Sequence, residues 1–215
     1  MSGPTGAELP GAFPRIDAHQ HFTPSYLPSL LLPILRRNRF DGSVVVTALP
    51  SVQVTRWLLS LASEYSFIRA VVGGVDLADP RLGELLDEYQ RHPKFRGGCY
   101  AFAWELPPGL AELDRRGLTL DVSAGFTLAI AERFPGLRVA IDGVGTARVA
   151  LPPSVAQYPN VFAKISGLIT HAPTGWKAAL AAFTQAIGPQ TLETREHLLG
   201  GTARRFYRLE TGNAA

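Results

Sequence analysis

Two histidines stand two residues apart near the start of the chain, in the segment RIDAHQHF at 15–22. Side chains two apart on a strand leave the same face, so His19 and His21 can bring two neutral imidazoles to one point. That is half of a divalent metal site, or a pair able to polarise a carbonyl group and move a proton. Asp17 shares their face one layer deeper. Asp76, Asp121 and Asp142 sit at the ends of later apolar runs, where burial can turn a carboxylate into an acid or a base. Lys164 and Ser166 alternate on one face of VFAKISGLI (161–169), and a mid-strand lysine needs a buried partner or an oxyanion to offset its desolvation. Tyr100, Phe102 and Trp104 alternate along FRGGCYAFAW (95–104) and would floor an apolar pocket for a ring-shaped ligand. His171 follows the 161–169 segment by a short loop and could reach the end of that run.

Each of these residues also has a plainer reading. Asp76 and Asp121 can hold loop amides, Lys164 can snorkel to the strand end, the aromatic stripe can be core filling, and His171 can be a solvated loop residue. His92, at a helix C-terminus, reads as a structural cation facing the helix dipole. His197 reads as structural, and Cys99 as an inert thiol in an apolar strand.

The elements that would position these side chains recur in a fixed order. Apolar, β-branched runs at 15–22, 42–50, 68–77, 95–104, 118–123, 137–145 and 161–169 read as strands. Helical patterns follow at 54–65, 79–92, 108–116, 125–134, 176–187 and 192–209. In the second of these, Asp79 serves as N-cap and Pro80 takes the first helical position. Alternation of this kind predicts a parallel sheet covered by helices. Seven strand units fit a TIM-type (β/α) barrel with a C-terminal closing helix. A doubly wound dinucleotide fold would need G-x-G-x-x-G after the first strand, where the chain has HQHFTP. Residues 1–14 are a Gly- and Pro-rich leader, and 15–215 form one (β/α) domain. Barrel active sites lie at the C-terminal ends of the strands, which is where His19 and His21 fall.

Composition narrows the function classes. The chain has 215 residues, 46% hydrophobic and 18% charged, with a net charge of +3. That is a core-forming chain, not a disordered one, and the charge is too small to imply a nucleic-acid partner. A single cysteine excludes an intrachain disulfide and suits a reducing cytoplasm. The N-terminus lacks a secretory h-region, and the apolar stretch Tyr26–Leu35 is too short and Pro-broken to span a bilayer. The expected partner is a small molecule.

IDAHQHF resembles the first strand of the amidohydrolase superfamily. The similarity is greatest to the amidohydrolase-related (amidohydrolase 2) branch of sugar-lactone and dicarboxylate lactonases. AVVGGVDLADP (70–80), HPKFRGG (92–98), DRRGLTLDV (114–122), RFPGLRVAIDGVG (133–145), PNVFAKISGL (159–168) and TARRFYRL (202–209) resemble later segments of that branch, in order. The resemblance implies a (β/α) barrel and a hydrolase acting on a small cyclic ester or related carbonyl compound.

Three departures qualify that implication. The branch reads Leu-Asp-His in its sixth strand, whereas Asp142 here precedes Gly143. A histidine often follows the Arg-Gly pair of the fourth strand, whereas Arg96-Gly97-Gly98-Cys99 leads to Tyr100. An eighth strand of the type Phe-Gly-Ser-Asp-Trp-Pro carries the family's metal-binding or base aspartate. Here Gly188-Pro189 runs into Gln190-Thr191-Leu192-Glu193 and the last helix, with only Glu193, Glu196 and Glu210 beyond. The missing strand is also where the chain falls short of the typical length of about 250 residues for the fold.

The expected catalytic set is therefore His19, His21 and Asp142, with Tyr100, Trp104, Lys164, His171, Asp76 and Asp121 around the substrate. His19 and His21 would hold a divalent ion, zinc or manganese. Two protein ligands favour no tightly bound metal, since catalytic zinc usually takes three. A metal-free isomerase, cyclase or decarboxylase and a degenerate ligand-binding relative remain alternatives. The two sheet edges left by the missing strand would suit a homodimer.

Overall fold

The computed structural model describes residues 13–100, 105–123, 127–144, 153–166 and 175–209. Seven strands run β1 (Ile16–Gln20), β2 (Gly42–Val46), β3 (Ile68–Gly74), β4 (Phe95–Tyr100), β5 (Thr119–Val122), β6 (Arg138–Val144) and β7 (Val161–Ile165). They pair in sequence order, every pair parallel, and curl into a nearly closed barrel. Among the described residues eight α-helices accompany them: α1 (Pro28–Arg37), α2 (Val52–Glu64), α3 (Leu82–Gln90), α4 (Gly109–Arg115), α5 (Thr127–Arg133), α6 (Gly175–Ile187), α7 (Leu192–Glu196) and α8 (Thr202–Phe206).

Strand alternation divides the core into two layers. Val45, Val71, Leu120, Val122 and Val139 point outward and meet Leu58, Leu86, Leu110 and Leu113 from the helices. Val44, Val46, Ala70, Val72, Cys99 and Ala140 point inward, together with Phe206, Tyr207 and Leu209 from the closing segment. All five residues of β2 are buried, as expected for a strand covered on both faces. Each fully buried valine or leucine contributes roughly 1.5–3 kcal/mol relative to exposure.

Four details differ from the sequence reading. The Tyr26–Leu35 stretch folds mostly into α1, whose Pro28 occupies the N-terminal turn and whose Leu31 and Leu35 are buried. Pro33 inside it masked the helical pattern. The helix expected from Asp79 begins at Leu82 instead. Asp79 closes the preceding turn, its carboxylate accepting from the Arg81 amide at 2.8 Å. The final helix is not continuous: α7 passes through a wide turn, His197–Gly201, before α8. At that turn Gly200 lies against β1, where a Cβ would come within 2.6 Å of the Pro14 carbonyl and 2.8 Å of the Ile16 amide. Tyr100 is also placed differently. It shares the outward face of β4 and packs against the sheet–helix layer, so it does not floor the barrel interior.

Among the described residues no strand follows β7, and the chain from Gly175 to Phe206 is helical apart from short connections. The space beside β1 is covered instead by the α7–α8 segment and by α6. Trp176 of α6 meets Phe40 edge-on at 5.3 Å between ring centroids. No helix among the described residues is long and apolar enough to cross a membrane.

Candidate active site

His19 lies near the end of β1 and His21 one residue beyond it, and their rings do converge: the two Nε2 atoms are 2.9 Å apart. The Nδ1 atoms are committed elsewhere. His21 Nδ1 is 2.7 Å from the Val46 carbonyl, which can only accept, so Nδ1 carries the proton. His19 Nδ1 is 3.1 Å from Asp142 Oδ1 on β6. Asp17 braces the pair from below. Its carboxylate accepts from the His19 amide at 3.2 Å and from the Ser43 hydroxyl at 3.1 Å, and burial pushes its pKa up.

Behind Asp142 the polar row continues into the barrel. Lys164 Nζ on β7 lies 3.1 Å from Asp142 Oδ1 and also donates to Asp121 Oδ2 on β5. The Tyr207 hydroxyl donates toward both Asp121 oxygens, at 3.0 and 2.9 Å. Asp121 and Lys164 are buried, so the lysine neither snorkels nor binds a loop. The reading of Asp121 as a loop-amide acceptor is likewise replaced by this ion pair. Burial alone would raise the Asp142 pKa, but the His19 hydrogen bond and the Lys164 charge outweigh it and hold the carboxyl below its ordinary value. Burial would lower the Lys164 pKa, but the two aspartates outweigh it and keep the amine charged. The His21 ring is partly withdrawn from solvent, and that burial, with the neighbouring His19, pushes its pKa down.

These groups fix a charge balance. Two carboxylates around one ammonium leave a net −1 in a low-dielectric interior. Two bare Nε2 lone pairs at 2.9 Å would repel. One proton between the imidazoles resolves both problems. His21 already carries its proton on Nδ1, so His19 Nε2 is the donor of the hydrogen bond between the rings.

The same donor set tests a metal. Imidazoles whose second nitrogen is held by a carboxylate or a carbonyl are the form in which histidine ligates divalent ions. A catalytic zinc takes three protein ligands. Among the described residues no group of three or more His, Cys, Asp or Glu side chains is placed to hold an ion. Asp142 is turned toward His19 Nδ1 and Lys164. Among the described residues the set supplies two imidazole ligands, half of a zinc or manganese site.

The histidine pair opens on a cavity of about 1130 Å³ beside β1 and β7, which Asp17, Asp142, Lys164 and Ser166 also line. Ser166 Oγ accepts from the Gly143 amide at 2.8 Å, so its hydroxyl proton is available to a ligand. His197 reaches the same cavity from the closing segment. Asp76 is not brought there. It is exposed in the loop after β3 and holds the Ala78 amide at 2.9 Å. Trp104, Phe102 and His171 lie outside the described residues. His92 is not a helix-capping cation. Its Nδ1 accepts from the Lys94 amide and its Nε2 meets Ser63 Oγ at 2.9 Å, the contacts of a neutral ring. Tyr207 was not singled out from sequence. Its only signal was a phenol following Phe206 at the end of an apolar helix face, where the hydroxyl needs a partner.

No family model matches the chain. It is 34% identical over 200 residues to L-fucono-1,5-lactonase of Burkholderia ambifaria, covering 74% of this chain and 69% of that protein. It is 35% identical over 217 residues to L-fucono-1,5-lactonase of Burkholderia multivorans, covering 78% and 72% respectively. In fold it is similar to a crystal structure of an amidohydrolase from Burkholderia multivorans with bound HEPES. That likeness has a TM-score of 0.77 at 22% identity over 92% of this chain and all of the other.

Proposed function

The chain belongs to the amidohydrolase-related, lactonase-like family, and we propose that it hydrolyses a small lactone with its own side chains, without a tightly held metal. The observation that carries this reading is the His19–His21 pair, joined at Nε2, backed by Asp142 and open to the cavity.

The roles follow from the charge balance. The proton on His19 Nε2 is given as a hydrogen bond to the lactone carbonyl oxygen, and Ser166 supplies a second donor. That releases His21 Nε2, whose lone pair takes a proton from the attacking water. The hydroxide oxygen bonds to the carbonyl carbon, and the developing oxyanion is held by the His19 Nε2–H and the Ser166 hydroxyl. The ring C–O bond then breaks, and the proton on His21 passes to the departing oxygen to give the hydroxy acid. Asp142 acts through His19 by holding its ring in position at Nδ1, as the aspartate of a hydrolase triad does. Lys164 and Asp121 hold Asp142 in place.

A panel of sugar 1,5-lactones and simple δ-lactones, followed by proton release in weak buffer, tests the reading. Turnover in the wild type is expected to fall on the order of 10³-fold in kcat for His19→Ala and for His21→Ala. His21→Ala at full rate, or no lactone of the panel opened faster than in buffer alone, would overturn it.

A further inference from the structure

The cavity before the histidines is larger and more divided than a bare lactone ring requires. Its volume of about 1130 Å³ exceeds the roughly 300–1,000 Å³ usual for small-molecule sites. The groups of the proposed mechanism occupy one wall, on β1, β6 and β7. The facing wall, from α1, Phe40 and α6, is apolar and includes Ile34, Trp176, Leu180 and Phe183. α6 reads GWKAALAAFTQAI, yet none of its residues is fully buried. A helix this apolar normally covers its face with protein. Here Ala179, Leu180 and Phe183 line the cavity, in the region where a strand between β7 and β1 would close a complete barrel.

Resting on the lactone-hydrolase reading above, we propose that the substrate is a lactone bearing an alkyl chain of several carbons. The ester head sits at His19 and His21, and the chain lies along α6 against Leu180 and Phe183. Both walls belong to one continuous volume, so a single amphipathic molecule matches both. Among the described residues that wall offers a polyhydroxylated ring little beyond the Trp176 indole N–H, so most of its hydroxyls would go unpaired there.

Two series differing only in the chain test this. The first uses δ-valerolactam and its 6-pentyl and 6-heptyl derivatives, which are not hydrolysed, with binding read by tryptophan fluorescence and calorimetry. The second measures kcat/KM for δ-valerolactone, δ-decalactone and δ-dodecalactone. Affinity and kcat/KM should rise about two- to fourfold per methylene over the first several carbons. The double variant Leu180→Ser/Phe183→Ser, placed on a helix with no buried residue, should flatten both series. Affinity independent of chain length, or an equal rise in wild type and variant, would overturn the proposal. Lactam affinity that rises with the chain while no lactone is opened would support the apolar subsite and refute the hydrolase reading, so the two failures are distinct.

Discussion

Replacing Lys164 by methionine isolates the electrostatic core of the site. The substitution keeps an unbranched side chain of similar length and removes the ammonium, its charge and its donors. Lys164 Nζ stands between Asp142 at 3.1 Å and a closer Asp121 whose side chain is 0% exposed. Among the described residues Asp121 then keeps only the Tyr207 hydroxyl, and Asp142 only His19. Breaking a buried pair from one side costs about 3–5 kcal/mol, because the remaining charge stays buried. At roughly 2–4 °C per kcal/mol for a chain of this size, Tm should fall by about 6–20 °C. The pH dependence fixes the cause. Burial already pushes the Asp121 carboxyl up, and Lys164 is the main opposing influence. Without it the folded pKa rises further above the unfolded value of about 3.9. The folded variant then binds more protons than the unfolded chain in that interval, so its stability falls as pH rises through it. The deficit against wild type should be larger at pH 8 than at pH 5 in thermal melts followed by circular dichroism. Asp121→Asn added to Lys164→Met should recover more than half the loss. An unchanged Tm at pH 8, or a deficit that grows on acidification, would refute the buried-pair account.

Other expectations are more local. Tyr207→Phe removes a donor to a charged acceptor and should cost about 1.5–3 kcal/mol in urea unfolding. Gly200→Ala forces a methyl against Pro14 and Ile16 and should cost about 1–3 kcal/mol, with limited proteolysis releasing the α7–α8 segment first. Cys99 is buried, and burial, then Asp121 and Asp142, push its thiol pKa up. It should resist a thiol reagent at pH 8 in the folded protein and react stoichiometrically in denaturant. His21 serves as base only when neutral and its pKa is lowered, so the acid limb of kcat/KM should have its midpoint below pH ~6.5. A midpoint above that value would assign the base elsewhere.

The histidine pair was legible because two-residue spacing on a strand leaves little freedom for where two rings point. The barrel was legible because seven β-branched runs are interleaved with amphipathic helical ones. Asp142 and Lys164 were legible as candidates, but not as partners of one another. Strands 22 residues apart in sequence carry no pairwise signal until their register is known. Tyr100 failed for the same reason: period two says that Tyr100, Phe102 and Trp104 share a face, not which face. α1 was hidden by Pro33, and the kink at Gly200 by an otherwise continuous helical pattern. Both are tertiary events, one tolerated because α1 buries Leu31 and Leu35, the other required by close contact with β1.

The reach of Tyr207 into the barrel has a consequence for how the protein is made. Its hydroxyl meets Asp121 across 86 residues of sequence, and His19 meets Asp142 across 123. During synthesis the strands that carry Asp121, Asp142 and Lys164 leave the ribosome before the segment that completes their hydrogen bonds. A nascent chain ending before Tyr207 must hold those charges wet, or bury them incompletely satisfied. Satisfying these charges therefore depends on contacts of long sequence separation, the kind whose closure is slow.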